Sequence, residues 1–143
     1  MTDRPSPPFA VQRLLFVALL GGMVAPAIVF AAVLASNDWR GLGDPPVPEL
    51  GWAATLFGIA IAPLAMLLRG RKLAAADGAP PARQGMLRFQ ARLLPIAMLE
   101  GGVLLNLVAW LLNGAVLPTV PVAAVLFALA VVLTPFSDPD AAH

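Results

Sequence analysis

Four long apolar stretches constrain the fold of this 143-residue chain more than any other feature. They are residues 14–35, 51–68, 93–112 and 118–136. Each approaches the length of about 20 residues with which a helix crosses about 30 Å of hydrocarbon. Charged residues make up 12% of the chain, whereas soluble domains carry about 25%. The sequence therefore predicts an all-α, integral membrane four-helix bundle, formed as one membrane domain over residues 1–143.

The basic residues predict how these spans are oriented. Of nine Lys and Arg residues, two precede the first span, one follows it, and six lie in the loop of residues 69–92. These six are Arg69, Arg71, Lys72, Arg83, Arg88 and Arg92. Because Lys- and Arg-rich loops stay in the cytoplasm, we expect the N-terminus, this loop and, after four crossings, the C-terminus on that side. We expect the bacterial inner (cytoplasmic) membrane as the location.

Two details of the helices can be read from proline and charge. Residues 82–94 are amphipathic at helical spacing, with apolar residues on one side and Arg88 and Arg92 on another. They could lie along the inner leaflet before Pro95 begins the third crossing, or extend the third helix straight into the cytoplasm. The sequence leaves both open. The fourth span is the shortest, because prolines limit regular helix to about residues 122–134.

The residue types exclude most metal and cofactor chemistry. The chain has no cysteine, and its one histidine, His143, is the last residue. Haem, iron–sulfur, copper and structural zinc sites need Cys, His or paired Met ligands in the interior. We interpret Met23, Met66 and Met98 as core filling. No metal site, no cofactor and no nucleic-acid partner is expected.

Small residues at four-residue spacing predict where the helices touch. Helices in lipid associate through close backbone approach at such residues. Ala54, Gly58 and Ala62 form one such row in the second span, and Ala97 and Gly101 form one in the third. The glycines are the stronger signals, because glycine in a helix interior costs about 1 kcal/mol relative to alanine. We predict Gly58 and Gly101 as helix-packing positions.

Glu100 is the only ionisable residue well inside an apolar stretch, and it is the candidate functional residue. A charged carboxylate near the bilayer centre costs about 3 kcal/mol or more. Ala97, Gly101 and Leu104 share its face, so we expect it to point at another helix, as a neutral carboxyl. It could bond a carbonyl or an asparagine across helices, bind a proton or cation, or contact a partner subunit. Asn106, roughly 120° around the helix, is the second candidate for ion binding.

Residues 82–112 carry a local resemblance to a known family. The runs that carry it are Ala82-Arg83-Gln84, Leu87-Arg88 and Ala97-Met98-Leu99-Glu100-Gly101. They resemble the loop and the carboxylate-bearing helix of the rotor-ring proteolipid subunits of ATP synthases. The resemblance implies that Glu100 carries a proton or sodium ion and that Arg83 and Gln84 face the rotor stalk. Gly85 stands where that loop usually has proline, and the resemblance does not extend to the whole chain.

Three functional hypotheses follow, in order of preference. The first is a small non-catalytic membrane protein, a structural or accessory subunit of a larger complex or of a homo-oligomer. The second is a proton- or cation-translocating protein that uses Glu100, similar to a rotor ring or to a small drug/proton antiporter. A membrane enzyme comes last, because the chain offers no nucleophile–base pair and no metal cluster. The expected partners are other membrane subunits or further copies of the chain, and anionic lipid headgroups at the basic loop.

Overall fold

The computed structural model describes residues 7–136 and places four helices in them. These are α1 (Phe9–Ser36), α2 (Pro48–Asp77), α3 (Pro81–Asn113) and α4 (Thr119–Leu133). No strand occurs between residues 7 and 136. The predicted all-α, four-helix architecture is thus confirmed for this part of the chain. Arg4 and His143 lie outside the described residues.

The helices differ in length. The first three contain 28, 30 and 33 residues and are long and apolar enough to cross a membrane. The fourth has 15 residues, so it is only about 22 Å long. Pro118 directly precedes it and Pro135 follows two residues after its end. Proline cannot donate a backbone hydrogen bond, which explains why this helix remains short.

Residues 69–92 were expected to form the basic loop, with helix from residue 82 onward, and the structure is helical here except for a short turn. α2 continues to Asp77 and α3 begins at Pro81, so the connection consists of residues 78–80. Of the two alternatives for residues 82–94, the structure agrees with an extension of the third helix. The segment is continuous with the rest of α3, and Pro95 lies inside this helix. Charge ends the apolar stretch without ending the helix, because arginine, lysine and alanine are all good helix formers.

α3 is the central helix of the bundle. It packs against each of the other three helices, whereas α1 contacts α3 and α4 but, within residues 7–136, not α2. α1 runs parallel to α3: the rings of Phe16 and Phe89 lie 6.5 Å apart near one end, and Leu42 N donates to Leu111 O near the other. The start of α1, the α2–α3 turn and the end of α4 therefore lie at one end of the bundle.

The two ends of the bundle carry different charges. We call the end with the α2–α3 turn the basic end, and the opposite end, with connections 37–47 and 114–118, the loop end. Within the described chain, the basic residues at the basic end are Arg13, Arg69, Arg71, Lys72, Arg83, Arg88 and Arg92. The loop end holds Arg40 beside three acidic residues, Asp38, Asp44 and Glu49. The fold thus keeps the charge asymmetry of the sequence.

At the loop end, the α1–α2 connection caps the last turn of α3. Gly43 N donates to Leu112 O at 2.8 Å, beside the bond from Leu42 N to Leu111 O at 3.0 Å. These bonds satisfy carbonyls that a helix end leaves without a partner. Gly114 has a φ of 69°, and a Cβ there would lie 2.5 Å from Gly41 N. Two glycines therefore allow the two backbones to meet.

Large apolar side chains cover the outside of the bundle. Eight examples on α1, α2 and α4 are 59% to 79% exposed: Leu14, Ile28, Trp52, Leu56, Ile59, Leu67, Val125 and Val132. The interior is also apolar, with large side chains such as Phe16, Ile96 and Leu99, small residues such as Ala54, and the polar Asn106. The helices are thus apolar outside as well as inside, unlike a water-soluble helix, whose apolar stripe faces the core and whose opposite face is polar.

Candidate functional site

Glu100 lies on α3 and faces α1. Its Oε1 is 2.5 Å from the point where a Cβ on Gly22 would lie. The carboxyl group thus rests on the backbone of α1 at a residue without a side chain, and Glu100 is half-buried there. Its neighbours Ala97 and Gly101 are exposed. The contact face of α3 toward α1 therefore includes Glu100 and does not include these two small residues.

Gly22 provides the space for this carboxyl. Any larger residue at this position would push against Glu100, whereas at Gly21 no heavy atom of the described chain lies within 4 Å of an added Cβ. The two adjacent glycines of α1 therefore have different environments, since successive helical positions are rotated by about 100°. This difference supplies a matched pair of positions for experiments.

The carboxyl group of Glu100 has no polar partner within residues 7–136. The structure shows neither a hydrogen bond nor an ion pair to it in this part of the chain. Arg92 precedes Glu100 by eight residues, about 12 Å along the helix, and Arg13 precedes Gly22 by nine, about 14 Å. α4 contains no ionisable residue. Because Glu100 is only half-buried and its oxygens are not among the fully enclosed polar atoms, the carboxyl can be reached from outside the bundle.

Asn106 faces a different neighbour from Glu100. Its side chain is buried, and Nδ2 donates to Ala54 O of α2 at 3.0 Å and to Gly102 O of α3 at 2.9 Å. The two residues predicted for ion binding are thus on separate faces of α3, toward α2 and toward α1. The structure does not bring them together in one site. Asn106 instead links α2 to α3.

The close contact of α2 and α3 uses Gly58 and Gly102. A Cβ on Gly58 would lie 2.9 Å from Asn106 Nδ2 of α3, and one on Gly102 would lie 3.0 Å from Ile61 and 4.0 Å from Gly58 Cα of α2, with α4 side chains packed against both glycines. Gly101 was the predicted packing position, but it is exposed, and no heavy atom of residues 7–136 lies within 4 Å of its added Cβ. Within one copy of the described chain the packing glycine of α3 is thus Gly102, and Gly101 stays a prediction for contacts with other chains.

The predicted basic residues gather at the basic end, on two helices joined by a short turn. Arg69, Arg71 and Lys72 lie near the end of α2, while Arg83, Arg88 and Arg92 lie near the start of α3. Arg88 Nη2 is 3.4 Å from Asp77 Oδ1 across this turn. Both side chains are more than a third exposed, so this ion pair contributes little stability.

An apolar groove runs between α1, α3 and α4, and the sequence did not predict it. Its volume is about 390 Å³. The residues that line it are Met23, Val24, Ala27, Ile28, Ala31, Val103, Leu107, Val120, Ala123, Ala124 and Phe127. The alanines of α1 and α4 keep this surface open where larger residues would fill it. Small-residue spacing signals close packing and open grooves alike, which is why the pattern alone could not reveal this one.

No group of three or more His, Cys, Asp or Glu side chains that could hold a metal ion occurs in the described range 7–136. Comparison with protein-family models, with curated proteins and with solved structures finds no match to this chain. Glu100, Asn106, the apolar exterior and the charged ends are the features of the molecule that point to a function.

Proposed function

We propose that this chain is a non-catalytic, multi-pass protein of the bacterial inner membrane that acts as an accessory or structural subunit. The observation that carries the proposal is the exterior of the bundle. Large apolar side chains such as Ile28, Leu67 and Val132 are 65%, 62% and 79% exposed, whereas a buried amide, Asn106, links two helices inside. Lipid solvates such an exterior, and internal polar contacts then help to hold the helices together.

The proposed orientation has both termini and the basic end in the cytoplasm. The gathering of basic residues at one end, opposite to Arg40 and its acidic neighbours, supports this orientation. Trp39 and Trp52 are 55% and 61% exposed at the loop end, where indoles would meet the outer interface. α4, at about 22 Å, is shorter than the hydrocarbon core, and local thinning of the bilayer would accommodate it.

Single-cysteine variants test insertion and orientation together, since the chain has no cysteine of its own. Cysteine at Asp44, in the loop-end connection, should react with a membrane-impermeant maleimide in intact cells. Cysteine at Asp77, beside the α2–α3 turn, should react only after the membrane is opened. The reverse pattern would overturn the orientation, and release of the protein from membranes by alkaline carbonate would overturn insertion.

The accessory role requires that the protein associates with itself or with other membrane proteins. Extraction in polymer-bounded native lipid discs, followed by native mass spectrometry, measures this directly. We expect the chain at a fixed ratio with further copies or with another membrane protein. Recovery as single chains with lipid alone would contradict the accessory role without affecting the membrane location.

Translocation of a proton or cation by Glu100 is the second candidate, and one observation favours it. A carboxyl with a purely structural role would normally have a hydrogen-bond partner, yet Glu100 has none within the described chain. Intramembrane carboxylates without such a partner are candidates for ion binding. The resemblance of residues 82–112 to rotor-ring proteolipids suggests the same role.

The variant Glu100→Gln separates the two candidates, because it keeps the size of the side chain and removes its titrating proton. If Glu100 carries an ion, the variant should assemble normally and lose pH-driven flux in sealed proteoliposomes. Glu49→Gln, at the exposed loop end, is the matched control and should retain flux. Flux that persists in Glu100→Gln at the level of the control would exclude translocation through this residue.

A further inference from the structure

The apolar groove and the carboxyl of Glu100 are adjacent. Gly22, which contacts the carboxyl, directly precedes Met23, the first groove residue of α1. On α3, Val103 and Leu107 line the groove and follow Glu100 by three and seven positions, so all three share one helical face. Glu100 is not one of the lining residues but lies just beyond the groove, at the end nearer to the basic end, and the groove extends from there toward the loop end.

The groove has the dimensions and polarity of a site for one aliphatic chain. Its lining consists of apolar side chains, and it spans Met23 to Ala31, about 12 Å along α1. The volume of about 390 Å³ falls within the range of ligand pockets, about 300–1,000 Å³. An apolar groove with one polar group at its end is typical of sites that orient an amphipathic ligand.

The charge of the site selects the head of such a ligand. Glu100 offers two acceptor oxygens without a partner in residues 7–136, and the nearest basic residues along its own helix and α1 are about 12 Å or more away. An ammonium group has N–H donors and the opposite charge, and charge-assisted hydrogen bonds of this type are the strong ones. The apolar surroundings strengthen the attraction further.

The direction of the groove argues against an ordinary bilayer lipid. A phospholipid of the leaflet at the loop end would place its headgroup at that end and its terminal methyl group beside Glu100. A phospholipid of the opposite leaflet would pass methylene groups over the same carboxyl. Both leave the carboxyl without a partner, which is costly in an apolar environment. A ligand with its polar group at Glu100 and its tail toward the loop end satisfies both parts of the site.

We propose that the groove between α1, α3 and α4 binds a single-chain lipophilic amine, with the ammonium head at Glu100 and the aliphatic tail beside Ala27, Ala31 and Phe127. This site deepens the second functional candidate by naming a substrate class, and it rests on the membrane location proposed above. Because the test uses protein already recovered in lipid nanodiscs, a failure to bind is distinguishable from a failure to insert.

The test uses a twelve-carbon primary alkylamine with a diazirine near its tail end, and the matching alcohol. The full chain is placed in phosphatidylcholine nanodiscs, the probe is photoactivated, and adducts are mapped by peptide mass spectrometry. We expect amine adducts at groove residues such as Ala31 and Phe127. Glu100→Gln should lower amine labelling about tenfold, as the loss of one charge-assisted hydrogen bond predicts, and should leave labelling by the alcohol unchanged.

A second pair of variants tests the groove independently of Glu100. Ala27→Phe should block labelling at the groove, because Ala27 lines it. Ala25→Phe, on an exposed position of the same helix, is the control and should retain labelling. Equal amine labelling in wild type and Glu100→Gln, equal labelling by the amine and the alcohol in the wild type, or adducts spread over exposed residues such as Phe57 would each overturn the proposal.

Discussion

α3 makes two different kinds of contact with its neighbours. Toward α2, Gly58 and Gly102 bring the helices together, and Asn106 adds an interhelical hydrogen bond. Toward α1, the rings of Phe16 and Phe89 pack near the basic end, the carboxyl of Glu100 rests on Gly22 further along the helices, and the apolar groove begins beside it. One contact is closed and hydrogen-bonded, while the other leaves a carboxyl without a partner and open space next to it.

This difference indicates a division of labour between the two contacts. Close glycine contacts leave no space for a ligand, and an amide that bonds a carbonyl across the interface is part of the packing. A carboxyl at the edge of a groove can instead gain a partner without a rearrangement of the core. We therefore expect changes at the α2–α3 contact to alter stability, and changes at the α1–α3 contact to alter function and the position of α1.

The largest expected effect is on stability, at the α2–α3 contact. Gly58→Leu and Gly102→Leu should each lower the free energy of unfolding by about 2–3 kcal/mol or more, because overpacking forces the helices apart. At Gly58 the new side chain would meet Val122 and Asn106 Nδ2 within 3 Å. Thermal unfolding in detergent, followed by tryptophan fluorescence, measures the change.

Gly101→Leu is the control for this prediction. It adds the same side chain to the same helix, at a position where the described chain has no heavy atom within 4 Å of the added Cβ. Its unfolding temperature should remain close to that of the wild type. If Gly101→Leu destabilises as strongly as Gly102→Leu, the proposed α2–α3 contact is wrong.

A smaller loss is expected from Asn106→Ala. The variant loses the bond from Nδ2 to Ala54 O, and interhelical side-chain bonds in membrane proteins contribute about 0.6 kcal/mol on average, up to about 1.7. The loss stays modest because Ala54 O is a carbonyl inside α2, where the helix provides a backbone donor. Val108→Ala, an exposed truncation on α3, controls for the loss of side-chain volume. A loss above that of Gly58→Leu would reverse the order proposed here.

The sequence predicted the number and type of the helices but not where they end. Length and hydropathy suffice to identify an apolar helix, because the required length is fixed by its rise per residue. Hydropathy does not report the end of a helix when charged helix formers follow, and this is why the second helix was expected to end before residues 69–77. The short α4 was anticipated, because proline limits a helix by a local mechanism.

The candidate site was predictable in its residue and not in its surroundings. Glu100 stands out as an ionisable residue in an apolar stretch, and its contact with another helix follows from the cost of exposure to lipid. Which helix it meets, and that Gly22 receives it, depends on the rotation and pairing of helices. For the same reason, the sequence did not single out Gly102, which makes the contact within the described chain. The groove arises from three helices together, so no single stretch of sequence carries its signal.

The smallest effect on stability, and the sharpest test of the α1–α3 contact, is expected from Gly22→Leu. The new side chain would meet the end of a flexible glutamate and no backbone, so the cost should stay below that of Gly58→Leu. Because α1 contacts only α3 and α4 within the described chain, the displacement should be confined to α1. Spin labels at the exposed Val17 and Leu94 should report a longer or broader distance.

Two variants control for this result. Gly21→Leu should leave the distance between the labels unchanged. A double variant of Gly22→Leu with Glu100→Ala should restore the wild-type distance, because the colliding carboxyl is removed. A double variant that stays displaced would show that Glu100 does not rest on Gly22.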